Sequence, residues 1–289
     1  MAIRTDLAQE AHALAQEAGR TSALPGVEAM SWSEAGTALT LVKVLSQEGE
    51  RAIGKPRGSY LSLALDAVRR GDRTAREQAQ RLLCRKLEEL TGLAPGQSVL
   101  LAGLGNRRAT PDALGSLTAE RVLVTRHLTS QYPDAFPGLR QVSVLQPGVL
   151  GATGVESAEL VHGAVETVRP DALFVVDALA AASPERLFFT IQLSDAGIVP
   201  GSGIGNARAE LSQRTLGIPV YSLGVPTVID AAALTGEDRP ELRGMVVTGK
   251  DVDAAVQRCA GILSGALNRF LQPTLTEQEL AWMLELQIM

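Results

Sequence analysis

Two aspartates follow apolar runs, where a desolvated carboxylate needs a reason. Asp177 directly follows Leu173-Phe174-Val175-Val176, and Asp112 lies in the loop Gly103-Leu104-Gly105-Asn106-Arg107-Arg108-Ala109-Thr110-Pro111-Asp112 that leaves the run Val99–Gly103. In an open parallel sheet, ligands bind beyond the carboxyl ends of the strands. Two carboxylates on one such edge can share a proton or activate a water, because desolvation and like-charge repulsion raise one pKa while the other group stays ionised. A strand-end aspartate is also a common helix N-cap. Spacing alone therefore leaves both a hydrolytic dyad and a pair of caps open.

Other chemistries find less support. Gly103-Leu104-Gly105 lacks the third glycine of a dinucleotide fingerprint, and Gly201-Ser202-Gly203-Ile204-Gly205 has no following Lys-Ser/Thr, so both read as turns. Ser202 is not in a G-x-S-x-G elbow. Of the three histidines, His12 and His127 stand alone, and His162 pairs with Glu159 one helical turn away on what reads as a solvated face. A divalent ion held by Glu156 or His162 on the acidic edge is the alternative to chemistry by the two carboxylates alone. The two cysteines, Cys84 and Cys259, fall in amphipathic helical stretches without metal-ligand spacing and read as buried thiols of a reducing compartment.

The elements that must hold these residues follow from hydrophobic periodicity. Asp6–Ala18 and Thr74–Leu90 have apolar residues at helical spacing, and Gly92 and Pro95 end the second. Residues 27–65 show no clean period and are expected to form irregular structure or short strands, with Lys55–Tyr60 a loop. From Ser98 onward, short apolar runs alternate with helical stretches, as in a parallel sheet covered on both faces. The expected strands are Val99–Gly103, Arg121–Thr125, Gln141–Leu145, Ala172–Val176, Leu187–Leu193 (a candidate to run antiparallel) and Pro219–Leu223. Helices are expected over Glu156–Val168, over Asp251–Leu271, and after Thr276, where Glu279 completes a capping box.

Composition bounds the rest. The 289 residues are 45% hydrophobic and 20% charged, enough for a full-sized core. Lys+Arg 27 against Asp+Glu 32 gives a net charge of −5 without a basic run, which argues against direct nucleic-acid binding. Arg4, Asp6 and Glu10 leave no apolar leader at the start, and Leu173–Ala182, interrupted by Asp177, is too short to span a bilayer. A cytoplasmic protein is expected: one three-layer α/β domain over residues 1–289 around a mostly parallel sheet, with an N-terminal elaboration.

The loops also carry a resemblance. Gly103–Asn106 with Thr110–Gly115, Pro147–Glu156, Asp177–Ala180, Thr190–Gln192, Gly197–Asn206, Leu223–Ala231 and Arg4–Ala8 occur in the order of the blocks of the germination proteases of spore-forming bacteria. The chain resembles that family from residue 4 to about residue 275. The resemblance implies a fold related to the hydrogenase-maturation endopeptidases. It further implies an endopeptidase that degrades small acid-soluble spore proteins during germination, is made as a self-processing zymogen, forms a homotetramer, needs no cofactor and works in the spore core. Within it, Asp112 and Asp177 carry an atypical aspartic-type mechanism, and Asn106, Thr110, Glu156, Asp195, Ser202 and Asn206 bind substrate or shape the site. Residues 1–7 would be a short propeptide, trimmed around Asp6, Leu7 and Ala8. The chain departs from the family pattern at Ala64, Ala182 and Ala196, where the family usually carries an acidic residue, Arg and Thr, so the alternatives are a catalytically weakened paralogue that binds spore proteins and a metal-dependent endopeptidase resembling the hydrogenase-maturation enzymes.

Overall fold

The computed structural model describes residues 5–65, 72–201, 209–235, 242 and 245–288. Among the described residues nine strands form one sheet: β1 Val27–Glu34, β2 Thr37–Val44, β3 Gly58–Ala64, β4 Val99–Leu104, β5 Val142–Gly148, β6 Ala172–Ala181, β7 Thr190–Ser194, β8 Val220–Asp230 and β9 Val246–Val247. Their order is β1-β2-β3-β7-β8-β6-β4-β5, with β9 paired to β8. β8, β6, β4 and β5 run parallel. β7 is antiparallel to both β3 and β8, and β1 to β3 form an antiparallel half.

Burial explains the arrangement. Strand β4 is buried throughout and β6 nearly so, as expected of central strands covered on both faces. Alternate residues point to opposite faces. Leu101, Phe174 and Val176 pack under helices α3 Arg73–Thr91, α4 Leu114–Ala119 and α6 Val252–Leu271, while Leu100, Ala102, Leu173 and Val175 pack under α5 Ser157–Val168. Helix α1 Ala8–Gly19 and the short α2 Gln47–Ile53 lie by the antiparallel half, and α7 Glu277–Ile288 closes the chain. Thr276 and Glu279 exchange the two bonds of the expected capping box, at 2.8 and 3.2 Å. Among the described residues no helix is long and apolar enough to cross a membrane.

Four expectations about elements need correction. Residues 27–44 form a regular hairpin, turned at Ala35 (φ 49°) and Gly36 (φ 75°). The expected loop at Lys55–Tyr60 ends early, because β3 begins at Gly58 and pairs with β2 and β7. The expected strand from Leu187 starts only at Thr190, after a tight 3-10 turn at Pro184–Arg186.

Arg121–Thr125, the fourth, is buried at Val122 and Leu123 but belongs to no strand. Amide side chains take the place of a neighbouring strand: Asn268 accepts from the Leu123 N–H at 2.9 Å and donates to the Arg121 carbonyl at 2.8 Å. Gln287 does the same for Val124 and Val122 at 2.8 and 3.0 Å. A buried backbone group left unpaired costs about 1–3 kcal/mol, so Asn268→Ala is expected to destabilise the protein by about 2–4 kcal/mol in denaturant titration. A loss under about 1 kcal/mol would show that water replaces the amide.

Strands β6 and β8 run further than expected, so Asp177 sits within β6 rather than at its end. The parallel pairing with β8 carries on through Asp177–Gly224 to Ala181–Ile229. On the other side, pairing with β4 stops at Gly103–Val176. Asp177 is therefore the first residue of β6 beyond its pairing with β4, and the carboxyl-edge position survives on that side.

Candidate active site

The loop leaving β4 returns in a 3-10 turn, Thr110–Asp112, that brings Asp112 back against the strand it left. Gly105 makes this possible: its φ is +95°, and a Cβ there would lie 2.0 Å from the Asp112 carbonyl oxygen. Asn106 then donates its backbone N–H to Asp112 Oδ2 at 2.7 Å and caps the next turn by accepting from Arg108 N–H at 3.0 Å. Two hydroxyls fasten the turn from outside. Thr227 on β8 donates to the Pro111 carbonyl at 2.6 Å, and Thr110 donates to Asp253 in the first turn of α6 at 2.7 Å.

Asp177 is 7% exposed, and its Oδ1 accepts from the Ala178 N–H at 2.9 Å. Asp112 and Asp177 line one cavity of about 320 Å³, walled by Leu104, Val149, Leu179 and Val228 and reached also by Ser157 and Thr227. Two carboxylates facing one largely apolar pocket can divide the roles of base and acid between them.

The N-terminus contributes the third carboxylate of this cavity, Asp6. Its backbone N–H donates to the Ala180 carbonyl at 2.8 Å, and its Oδ2 accepts from the Ala180 N–H at 2.9 Å. Gln192 on β7 holds both sides of the same segment, donating to the Asp6 carbonyl at 3.1 Å and accepting from Ala8 N–H at 2.7 Å. Leu7 and Ala8 have no exposed surface. Glu10 accepts from the Ala182 and Ser183 N–H groups at 2.7 and 3.0 Å. The segment Thr5–Glu10 thus forms a strap along the end of β6, just downstream of Asp177.

The remaining candidates are dispersed. Glu156 is the N-cap of α5 and forms a capping box with Glu159. Asp195 accepts from Ser59 N–H at 2.6 Å and joins the start of β3 to the loop after β7. Neither is part of the wall around the two aspartates. Ser202 and Asn206, with Gly203 and Gly205 of the glycine-rich turn, lie outside the described residues. His162 is exposed and lies 3.5 Å from Glu166. Among the described residues no three His, Cys, Asp or Glu side chains gather into a metal-ligating group. Burial pushes the Cys84 thiol up to about 11 and the Cys259 thiol to about 12, so neither is a ready nucleophile at neutral pH. Glu10 was not expected as a site-supporting residue, and Gln192 and Thr227 were expected only as parts of resembling blocks. Their sign in the sequence is polar residues inside otherwise apolar segments.

Comparison with known proteins agrees over nearly the whole chain. The profile of a family described as germination protease matches residues 4–242. A germination protease of Caldanaerobacter subterraneus subsp. tengcongensis is 37% identical, with 97% of each chain covered. Those of Bacillus cytotoxicus and a Bacillus cereus strain are each 44% identical over 82% and 81% of this chain. The match spans 65% of the length of either Bacillus relative. A solved NiFe hydrogenase maturation protease, HycI from Thermococcus kodakarensis, is similar over 59% of this chain and 92% of its own, at 18% identity and a TM-score of 0.35.

Proposed function

The chain belongs to the germination protease family and is a protease, and from that premise we propose that it is an endopeptidase of small acid-soluble spore proteins whose reaction runs on Asp112 and Asp177. The observation that carries this reading is the convergence of both carboxylates on one small, mostly apolar cavity. One carboxylate takes a proton from water as the water oxygen attacks the scissile carbonyl carbon. The other delivers a proton to the departing amide nitrogen, so the peptide bond breaks without a covalent enzyme intermediate. No cofactor enters the scheme. The test is replacement of each aspartate by its amide: cleavage must fail in both variants while the substrate still binds.

Self-processing, with residues 1–7 as a short propeptide, is part of the same proposal. Asp6 reaches the cavity of the two aspartates, and a tethered segment has an effective concentration in the millimolar range for a short connection. Leu7 and Ala8 are wholly buried, so a cut between Asp6 and Ala8 requires the strap to withdraw first. Trimming is therefore expected to be slow, and Gln192→Ala, which removes both of that side chain's bonds to the strap, is expected to accelerate it. Intact mass followed over time under mildly acidic conditions checks this. Equal trimming rates in the two proteins would contradict the withdrawal step, and a full-length chain that persists while spore substrate is cut would show that self-trimming is not its switch.

The working form is a homotetramer in the cytoplasm of the spore core. Exposed Met30 and Trp32 on the edge strand β1, and Trp282 and Leu286 on α7, supply apolar surface for subunit contacts.

A further inference from the structure

Behind the strap lies a second concavity, larger than the first. It has a volume of about 680 Å³ and is walled by Leu14 and Ala15 of α1, Ile53 of α2, Leu223 of β8, and Ile198 and Val199 of the loop after β7. Asp6 and Leu179 belong to the walls of both this groove and the aspartate cavity, and the loop after β7 runs from one wall to the other between Val199 and Pro200, so the two spaces are neighbours across the strap, the end of β6 and that loop. The dimensions and lining are those of a ligand site, mostly apolar with few polar groups.

The polar groups indicate which side chains it suits. Among the described residues of the wall Lys55 is the one cation, and its ammonium donates to the Thr5 carbonyl at 2.9 Å. Asp6 is the one carboxylate among those residues, opposite in charge to Lys55 while the strap is in place. Burial lowers the Lys55 pKa, opposed by the nearby carboxylates of Asp6 and Glu10. A groove with aliphatic walls gains from burying apolar side chains, at roughly 25 cal/mol per Å² removed from water.

We infer that the groove between α1 and α2 is a substrate subsite, holding apolar side chains of an extended peptide on one side of the bond presented to Asp112 and Asp177. The inference rests on the reading of the chain as an endopeptidase, and its occupant is argued from the groove's continuity with the aspartate cavity. A peptide reaching from one space to the other passes Asp6 and Leu179, the residues that line both.

The test uses binding, so that it does not depend on turnover. A small acid-soluble spore protein labelled at one end is titrated against the full-length Asp177→Asn chain, with and without Ala15→Trp, which fills the groove from α1. Ala18→Trp, at the exposed end of the same helix wall, is the second variant, and circular dichroism confirms folding. Either indole is expected to raise the Kd about tenfold, the equivalent of about 1.4 kcal/mol of lost burial. An unchanged Kd in both folded variants, no binding to the parent chain, or a change in oligomeric state in place of affinity would overturn the assignment. Loss of cleavage by the unsubstituted chain, with groove-dependent binding intact, would count against the catalytic reading and leave the subsite standing.

Discussion

Asp177→Asn is expected to lower kcat for a spore-protein substrate by about three orders of magnitude, within the range general acid–base groups contribute, with little change in stability. The amide has nearly the shape of the carboxylate, and its oxygen can still accept from the Ala178 N–H that Oδ1 now holds at 2.9 Å. What it loses is the capacity to take up or release a proton in a pocket where Asp177 is 7% exposed. Asp112→Asn is expected to behave alike, since an amide oxygen can keep the Asn106 N–H that now lies 2.7 Å from Oδ2. Because the two groups act as a unit, the double variant should be scarcely worse than either single one. Rates from initial velocities, with thermal unfolding as the control, decide the matter. More than about a tenth of the parent kcat in either folded variant would contradict the pair.

The second large effect is expected at a residue with no chemistry. Gly115 in α4 sits where a Cβ would lie 2.3 Å from both the Leu104 and Val176 carbonyl oxygens and 2.5 Å from the Leu104 nitrogen. All three are backbone atoms of the two central strands, which cannot turn aside as a side chain can. Gly103 faces the same contact from β4, where a Cβ would lie 2.3 Å from the Gly115 carbonyl oxygen. Helix α4 is thus seated on the ends of β4 and β6 at the point where the chain delivers Asp112 and Asp177. Gly115→Ala must push the helix off the sheet, and a cost of at least about 3 kcal/mol follows from overpacking against a rigid neighbour. The folded remainder should also be catalytically poor, since the Asp112 turn leads directly into α4. A denaturant midpoint within about 1 kcal/mol of the parent would show that the sheet accommodates the methyl group.

Much of this architecture is legible in the residues. The apolar stripe of α3 and the capping box of Thr276 and Glu279 are local signals, and local signals fix local structure. The buried runs of β4 and β6 announce covered strands, and the aspartates that follow them face one cavity. What escapes is whatever depends on distant partners. Arg121–Thr125 has the composition of a strand, yet its backbone is held by Asn268 and Gln287, side chains of the last two helices. The hairpin of residues 27–44 turns on Ala35 and Gly36, and alanine at a positive φ removes the Asn-Gly signature that would have marked it. The strap shows the same limit. Thr5–Glu10 reads as the approach to a helix, and only the fold reveals that Asp6 and Glu10 close the backbone of residues 180–183. Asp177 itself is misjudged by one relation, since the strand continues while its β4 neighbour stops.

The reaction proposed for this chain is internal cleavage of spore proteins by two carboxylates without a metal. It is met most directly by digesting one purified small acid-soluble spore protein with the chain in the presence of a strong chelator and identifying the products by mass spectrometry. A few discrete internal fragments are expected, formed at the same rate with and without chelator. An intact substrate that remains bound would make the protein a binder rather than a protease, and fragments that vanish with the chelator would place a metal ion, not the aspartate pair, at the centre of the reaction.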